Sequence, residues 1–162
     1  MSAPAFELDN VGPGPDPLSL ADLAGEFDAV LVLLQRDHYC TTCRKQVSEV
    51  ADRYGAFRDR NAEVVSIVPE PRERVREWQD SYDLPFPLLA DPDATAGEAY
   101  GQPVRYGFLG DLFDFVGRMP EAAIVDLRED PEIAWSYAGS STFDRPSIDD
   151  LLERLDDVLA DG

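Results

Sequence analysis

The stretch Ala29-Val30-Leu31-Val32-Leu33-Leu34-Gln35-Arg36-Asp37-His38-Tyr39-Cys40-Thr41-Thr42-Cys43 decides how this chain folds. Its first six residues form a continuous apolar run, which predicts a central strand buried on both faces of a sheet. After the second cysteine, apolar residues recur at three- and four-residue steps from Val47 to Phe57, and this spacing predicts one helix from Cys40 to Arg60. The two cysteines therefore lie where a buried strand gives way to a helix.

The rest of the chain continues this alternation of strands and helices. Predicted strands are Phe6 to Leu8, Ala62 to Val68, and a hairpin of Ala122 to Leu127 with Ile133 to Tyr137. Leu84 to Leu89 is predicted to be extended and interrupted by Pro85 and Pro87. Predicted helices are Ser19 to Leu23, Pro71 to Tyr82, a short helix capped by Asp93 and ending at Gly101, part of 104–119, and a last helix capped by Ser147. This order predicts a three-layer α/β sandwich with a mixed sheet, in one domain over residues 1–162.

Acidic residues dominate the charge of the chain. There are 33 Asp and Glu against 14 Lys and Arg, a net charge of −19, and Lys45 is the single lysine. Such an excess repels nucleic acid and anionic membranes, so we expect neither as a partner. An evenly acidic, lysine-poor chain resembles the proteins of extreme halophiles. The N-terminus shows no secretion signal and no apolar run is long enough to span a bilayer, so we expect a soluble, cytoplasmic protein.

Cys40 and Cys43 are the only cysteines, and their spacing predicts a redox pair. Cys40 opens the predicted helix, where unpaired backbone N–H groups and the positive end of the dipole lower the pKa of a thiol. Cys43 follows one turn later on the same face. We therefore expect Cys40 to attack and Cys43 to resolve. Zinc requires about four ligands, so no metal and no cofactor is expected; a pair of inert buried thiols stays open as an alternative.

Several neighbours are candidates for tuning or positioning the thiols. Arg36, Arg44 and Lys45 concentrate positive charge near the pair, and Tyr39 is placed to shield the sulfur. Thr41 and Thr42 lie between the two cysteines. His38, the only histidine, has two interpretations that stay open: it tunes the thiolate, or it is a loop residue without a role.

These residues resemble a known family. The segment Tyr39 to Arg44 after an apolar strand is similar to the thioredoxin active site, in which an aromatic residue precedes Cys-x-x-Cys and a basic residue follows. A wider resemblance is to the peroxiredoxin-like alkyl hydroperoxide reductase/thiol-specific antioxidant family, also called redoxins. Gln35-Arg36-Asp37 before Cys40 resembles its nucleophile loop, and Leu84 to Asp93 resembles its segment before Ala99-Tyr100-Gly101. The resemblance covers Phe6 to Leu159 and implies a thioredoxin-like fold with an N-terminal extension.

The chain departs from the peroxiredoxin pattern at two places. That family carries Pro-x-x-x-Thr-x-x-Cys, whereas here Gln35 replaces the proline and no threonine precedes Cys40. The family also carries an arginine just before the strand that matches Ala122 to Asp126. In this chain that position is Pro120, and Arg118 lies two residues earlier. Pro120 instead resembles the cis-proline of thioredoxins, which implies a cis Met119–Pro120 bond that faces the cysteines and helps seat the substrate.

The sequence leaves three functions open. The favoured one is a dithiol–disulfide oxidoreductase in cell redox homeostasis, acting on protein or low-molecular-weight thiols and disulfides through Cys40 and Cys43. The alternative is a peroxiredoxin-type thiol peroxidase with Cys40 as peroxidatic and Cys43 as resolving cysteine. A third is a redox-inactive interaction module that docks through residues 106–115. Because the peroxide-binding threonine is missing and the arginine is displaced, we expect weak or no peroxidase turnover. The oligomeric state stays open.

Overall fold

Strand β3 (Ala29–Leu34) runs through the middle of the molecule, as its apolar run predicts. All six of its residues are buried. It pairs in parallel with β4 (Ala62–Val68) and antiparallel with β6 (Glu121–Asp126), along its whole length on both sides. The two neighbouring strands satisfy its backbone hydrogen bonds, so its side chains are free to enter apolar layers on both faces.

The structure, a computed structural model, describes residues 2–35, 41–100, 121–138 and 147–160, without the side chains of residues 41–43, 97, 98 and 138. The other elements in chain order are β1 (Glu7–Asn10), β2 (Leu18–Ser19), α1 (Leu20–Ala24), α2 (Thr41–Asp52), α3 (Tyr54–Arg58), α4 (Arg72–Tyr82), β5 (Leu88–Ala90), α5 (Thr95–Ala99), β7 (Glu132–Ala138) and α6 (Ile148–Ala160). Residues 104–119, with their predicted helix, and Gly101 lie outside the described residues.

The strands form one mixed sheet with apolar layers on both faces. Its order is β2-β1-β5-β4-β3-β6-β7. On one face, residues of α2, α3, α4 and α6 pack against the sheet, among them Val47, Phe57, Trp78 and Leu151. On the other face, residues of α1 and the segment from α5 to Tyr100 pack against alternate residues of the same strands. The predicted three-layer α/β sandwich is confirmed.

Local signals in the sequence place several elements correctly. The strand at Ala62–Val68 and the antiparallel hairpin of β6 and β7 are confirmed. Ser147 caps α6, because its hydroxyl accepts a hydrogen bond from the backbone N–H of Asp150 at 3.1 Å. The extended segment from Leu84 joins the sheet only at β5 (Leu88–Ala90), because Pro85 and Pro87 have no N–H to donate to a strand ladder.

The single helix predicted from Cys40 to Arg60 is wrong in its length. Helix α2 ends at Asp52, Arg53 adopts a φ of −111° and a ψ of 15°, and α3 begins at Tyr54. In α3, Phe57 is buried in the core and the Tyr54 hydroxyl donates to Glu63 Oε1 on β4 at 2.6 Å. Tertiary contacts therefore override a helical spacing that continues through the break.

The sequence predicted Asp93 as the cap of α5, and this prediction is wrong. The cap is Asp91. The Asp91 carboxylate accepts hydrogen bonds from the backbone N–H groups of Thr95 at 3.0 Å and Ala96 at 2.8 Å, and the residue is buried. Asp93 is exposed. The helix begins later than its sequence signal suggests because Ala94 takes a left-handed conformation, with a φ of 54°, between the two aspartates and the first helical turn.

This difference is testable by a matched pair of substitutions. We expect Asp91→Ala to lower the free energy of unfolding by about 1–2 kcal/mol, the cost of a lost helix cap. Asp93→Ala is expected to change it by less than about 0.5 kcal/mol, as for most surface positions. Urea denaturation of the two variants measures both values. Equal losses from the two substitutions would contradict the assignment of the cap to Asp91.

Candidate active site

The cysteine motif connects to the described structure at one edge of the sheet. At this edge β3 and β4 end and β6 begins, and we call it the cysteine edge; its described residues are Leu34, Gln35, Ser66 and Glu121. The chain leaves the sheet at Gln35 and enters α2 at Thr41. The prediction that the pair lies at a strand-to-helix junction is confirmed for Cys43, which stands in the first turn of α2.

The other predicted site residues are only partly described. Thr41 and Thr42 form the first turn of α2 together with Cys43. Outside the described residues lie Arg36, His38, Tyr39, Cys40, Arg118 and Pro120, together with the predicted cis Met119–Pro120 bond. The cis peptide found within the described ranges is Asp16–Pro17. In the same ranges no group of three His, Cys, Asp or Glu side chains is placed to share a metal ion.

Arg44, the basic residue after Cys43, packs against the neighbouring helix α4. Its guanidinium carbon lies 5.5 Å from the centre of the Trp78 ring, and Trp78 is fully buried. This distance is within the range of a cation–π interaction. The start of α2 is thereby linked to α4 by a charged side chain.

A buried polar pair, which the sequence analysis missed, holds the end of β3. The Gln35 backbone N–H donates to the carbonyl of Ile67 at 2.9 Å, which extends the ladder between β3 and β4 by one residue. The Gln35 side-chain amide donates to Ser66 Oγ at 3.0 Å, and both residues are fully buried. The signal that the sequence offered for this pair was a polar residue, Gln35, directly after an apolar run. The pair anchors the point from which the cysteine-bearing loop departs.

Glu121, also missed, is a buried acid at the start of β6. It lies directly opposite Leu34 in the sheet and is only 8% exposed. Its Oε2 atom is buried and has no hydrogen-bond partner. Burial raises the pKa of the Glu121 carboxyl to about 7. Burial, with a contribution from the charge of Glu121, also raises the pKa of Tyr100, whose hydroxyl donates to the carbonyl of Pro4 at 2.9 Å.

The sheet order and the helix layers are those of a thioredoxin-fold protein of the peroxiredoxin type. The crystal structure of reduced Plasmodium vivax 2-Cys peroxiredoxin superposes with a TM-score of 0.80 at 15% identity, over 98% of this chain and 94% of that one. This similarity shows the fold. The model of the AhpC/TSA family matches residues 1–127, and the chain belongs to that family. The family resemblance seen in the sequence is confirmed.

Two curated relatives carry different names. The "Putative peroxiredoxin" of Mycobacterium tuberculosis is 36% identical over 108 residues, which are 65% of this chain and 66% of the relative, just under two thirds of its length. The thiol-disulfide oxidoreductase ResA of Bacillus subtilis is 30% identical over 131 residues, 76% of this chain and 70% of the relative. Among the described residues, no helix is long and apolar enough to cross a membrane.

The raised pKa of Glu121 predicts how stability depends on pH. The ordinary value is 4.5 and the folded value is about 7, so folding binds a proton between these pH values. The stabilising contribution is complete below about pH 4.5 and is lost as pH rises through about 7. Between pH 5 and pH 8 we expect the free energy of unfolding of the native protein to fall by about 2–3 kcal/mol relative to that of Glu121→Gln.

Denaturant unfolding of both proteins at several pH values measures this difference. The Glu121→Gln variant keeps the size of the side chain and cannot ionise, so its own curve supplies the control for all other titrating groups. Parallel curves for the two proteins would mean that the Glu121 carboxyl titrates normally.

Proposed function

We propose that this protein is a thiol-dependent oxidoreductase whose redox pair is Cys40 and Cys43, acting in a single domain over residues 1–162. Its substrates are protein or low-molecular-weight thiols and disulfides in the cytoplasm. The observation that carries the proposal is the position of Cys43 in the first turn of α2, at the end of the central strand, in a chain of the AhpC/TSA family.

The start of α2 supports a reactive thiolate. The first four N–H groups of a helix have no partner within it, and the aligned peptide dipoles add positive potential at the same end. Cys40 directly precedes the helix and Cys43 stands in its first turn. Both features of the helix start favour the thiolate form over the thiol. Arg44, the residue after Cys43, adds a positive charge to the same segment of the chain.

The reaction is thiol–disulfide exchange in two steps. The Cys40 thiolate attacks one sulfur of a partner disulfide; the partner's S–S bond breaks, its other sulfur leaves as a thiolate, and a mixed disulfide forms. Cys43 then loses its proton and attacks the sulfur of Cys40, which releases the second partner thiolate. Two electrons pass from the cysteine pair to the partner. Reduction of the Cys40–Cys43 disulfide by a thiol donor runs through the same steps in reverse.

Thiol peroxidase activity is the second candidate, and the peroxiredoxin name of the mycobacterial relative favours it. In that reaction Cys40 attacks a hydroperoxide, becomes a sulfenic acid and releases water or an alcohol; Cys43 condenses with the sulfenic acid and a second water leaves. We rank it second because no threonine precedes Cys40 and Pro120 stands where the family carries its arginine. Gln35 also replaces the family's proline, and its amide donates to Ser66 within the sheet.

The first test traps the mixed disulfide. With Cys43→Ser, a protein disulfide such as that of insulin is expected to stay bonded to Cys40, because no second thiol releases it. Non-reducing electrophoresis and mass spectrometry of the tryptic peptides identify the bonded residue. In the matched Cys40→Ser variant we expect no adduct of comparable yield. An adduct through Cys43 in that variant would reverse the two roles, and no adduct in either would reject the proposed function.

The second test measures peroxide chemistry. We expect hydrogen peroxide to oxidise Cys40 no faster than it oxidises a free thiolate. The family's threonine and arginine, which bind the peroxide, are not at their usual positions in this chain, and the loss of one such donor costs about 10²–10³ in rate. The second-order rate constant is measured by competition in the reduced protein, with Cys40→Ser as the blank. A rate constant well above that of a free thiolate would make the peroxidase the function.

A further inference from the structure

An irregularity in the pairing of β7 sets the direction of the Trp135 side chain. In the hairpin, Trp135 is opposite Ile124. The next residue of β6, Val125, is opposite Ile133, so the register of the two strands skips Ala134. Residues two apart in a regular strand share one face of the sheet, and a bulge of this kind reverses that rule. Ile133 accordingly packs in the apolar layer of α1, whereas Trp135 packs in the layer of α6.

A groove of about 190 Å³ lies between this part of the hairpin and the C-terminal half of α6. Its lining residues are Asp126, Ala134, Trp135, Arg154, Asp157 and Val158. A cavity of about 150 Å³ is large enough to hold benzene, so the groove has room for a small organic molecule. It lies at the end of β6 opposite the cysteine edge, about 17 Å along the strand from Glu121. The groove is therefore separate from the candidate active site.

The ring of Trp135 forms the largest apolar surface of the groove. It is partly buried, and it stacks beside the ring of Tyr137 with a centre-to-centre distance of 6.4 Å. In the part of the chain that the structure describes, the guanidinium groups that lie over aromatic rings belong to Arg44 and Arg58, and neither covers Trp135. The face of an indole attracts a cation more strongly than the face of any other side-chain ring. This face therefore has a binding capacity that no cation of the described chain uses.

Two carboxylates and one guanidinium line the groove. Asp126 is held in place by Arg128, which donates to its two carboxylate oxygens at 3.0 and 2.9 Å. Asp157 forms a looser ion pair with Arg154, at 3.6 Å, and both side chains are more than half exposed. Exposed pairs of this kind contribute little free energy, so the Asp157 carboxylate is available to a ligand. Because the chain has a net charge of −19, the surrounding field also favours a cation over an anion.

We propose that this groove binds a small, free quaternary ammonium ion. The ring face of Trp135 contacts the positive charge, and Asp157 is its counter-ion. The methyl groups of the ligand pack against Ala134 and Val158, which are apolar. A primary ammonium is strongly hydrated and loses that water on an apolar surface, whereas a methylated nitrogen has no N–H group to leave unpaired. Binding requires neither cysteine, so this inference and the proposed redox function stand or fall separately.

The test is a titration of the full-length protein with choline chloride, followed in proton–nitrogen NMR correlation spectra. The chain has two tryptophans and hence two indole N–H signals, which Trp135→Leu assigns by removing one of them. We expect choline to shift the Trp135 signal with saturation in the millimolar range and to leave the signal of the fully buried Trp78 in place. Two control titrations use sodium chloride and the neutral alcohol in which a carbon atom replaces the nitrogen of choline. Neither is expected to give a saturable shift.

A matched pair of exposed substitutions tests the sign of the charge effect. Asp157→Asn is expected to weaken choline binding about threefold and Arg154→Gln to strengthen it by a similar factor, because the two side chains carry opposite charges at the same groove. Trp135→Leu keeps an apolar side chain and is expected to weaken binding about tenfold, through the loss of the cation–π contact. In all three variants the shift of the Ala134 backbone amide signal measures the dissociation constant.

Three results would overturn the proposal. Saturable binding of the neutral alcohol with equal affinity would mean that the groove recognises apolar shape and not charge. Absence of saturation up to about 100 mM choline, or equal effects of Asp157→Asn and Arg154→Gln, would mean that only the general field of an acidic protein acts on the cation. A lysine-containing peptide that binds more than about tenfold tighter than choline would assign the groove to a protein segment instead of a free ligand.

Discussion

The pairing of β3 on both of its sides is the constraint on which the rest of the structure depends. Its six residues pair with β4 in parallel and with β6 in antiparallel orientation, and every one of them is buried. A strand with this register directs Leu31 and Leu33 to the face that carries α2, α4 and α6, and Val30, Val32 and Leu34 to the face of α1 and α5. Both apolar layers are thus organised by one segment of six residues.

The same pairing creates the cysteine edge. Because β3 and β4 are parallel and β6 is antiparallel to them, two strands end and a third begins at one place. The backbone continues from there into α2, whose first turn contains Cys43. At this edge the Gln35 amide N–H donates to Ser66, whereas the Gln35 Oε1 atom and the Glu121 Oε2 atom are buried without a hydrogen-bond partner. The candidate active site is therefore next to the ends of β3 and β4 and the start of β6.

Some of the few cations of this acidic chain connect residues that are distant in sequence. Arg60, two residues after the end of α3, donates a hydrogen bond to Asp156 on α6 at 2.6 Å. Arg72, at the start of α4, donates one to Asp16 at 2.7 Å. These guanidinium groups lower the pKa of both aspartates through their hydrogen bonds. Exposed pairs of this kind contribute little to stability individually. They link the segment after α3 to α6, and α4 to the loop before β2.

The sequence by itself determined the elements whose signals are local and the position of the cysteines at the junction of β3 and α2. An apolar run, a period of 3.6 residues or a serine cap is encoded in neighbouring residues, so β3, β4 and the start of α6 could be predicted. Only the tertiary structure decided the break at Arg53, the cap by Asp91 and the burial of Gln35 and Glu121. Each of these depends on groups brought together from distant strands and helices, and the free energy of burying a polar side chain depends on those neighbours rather than on its own sequence context.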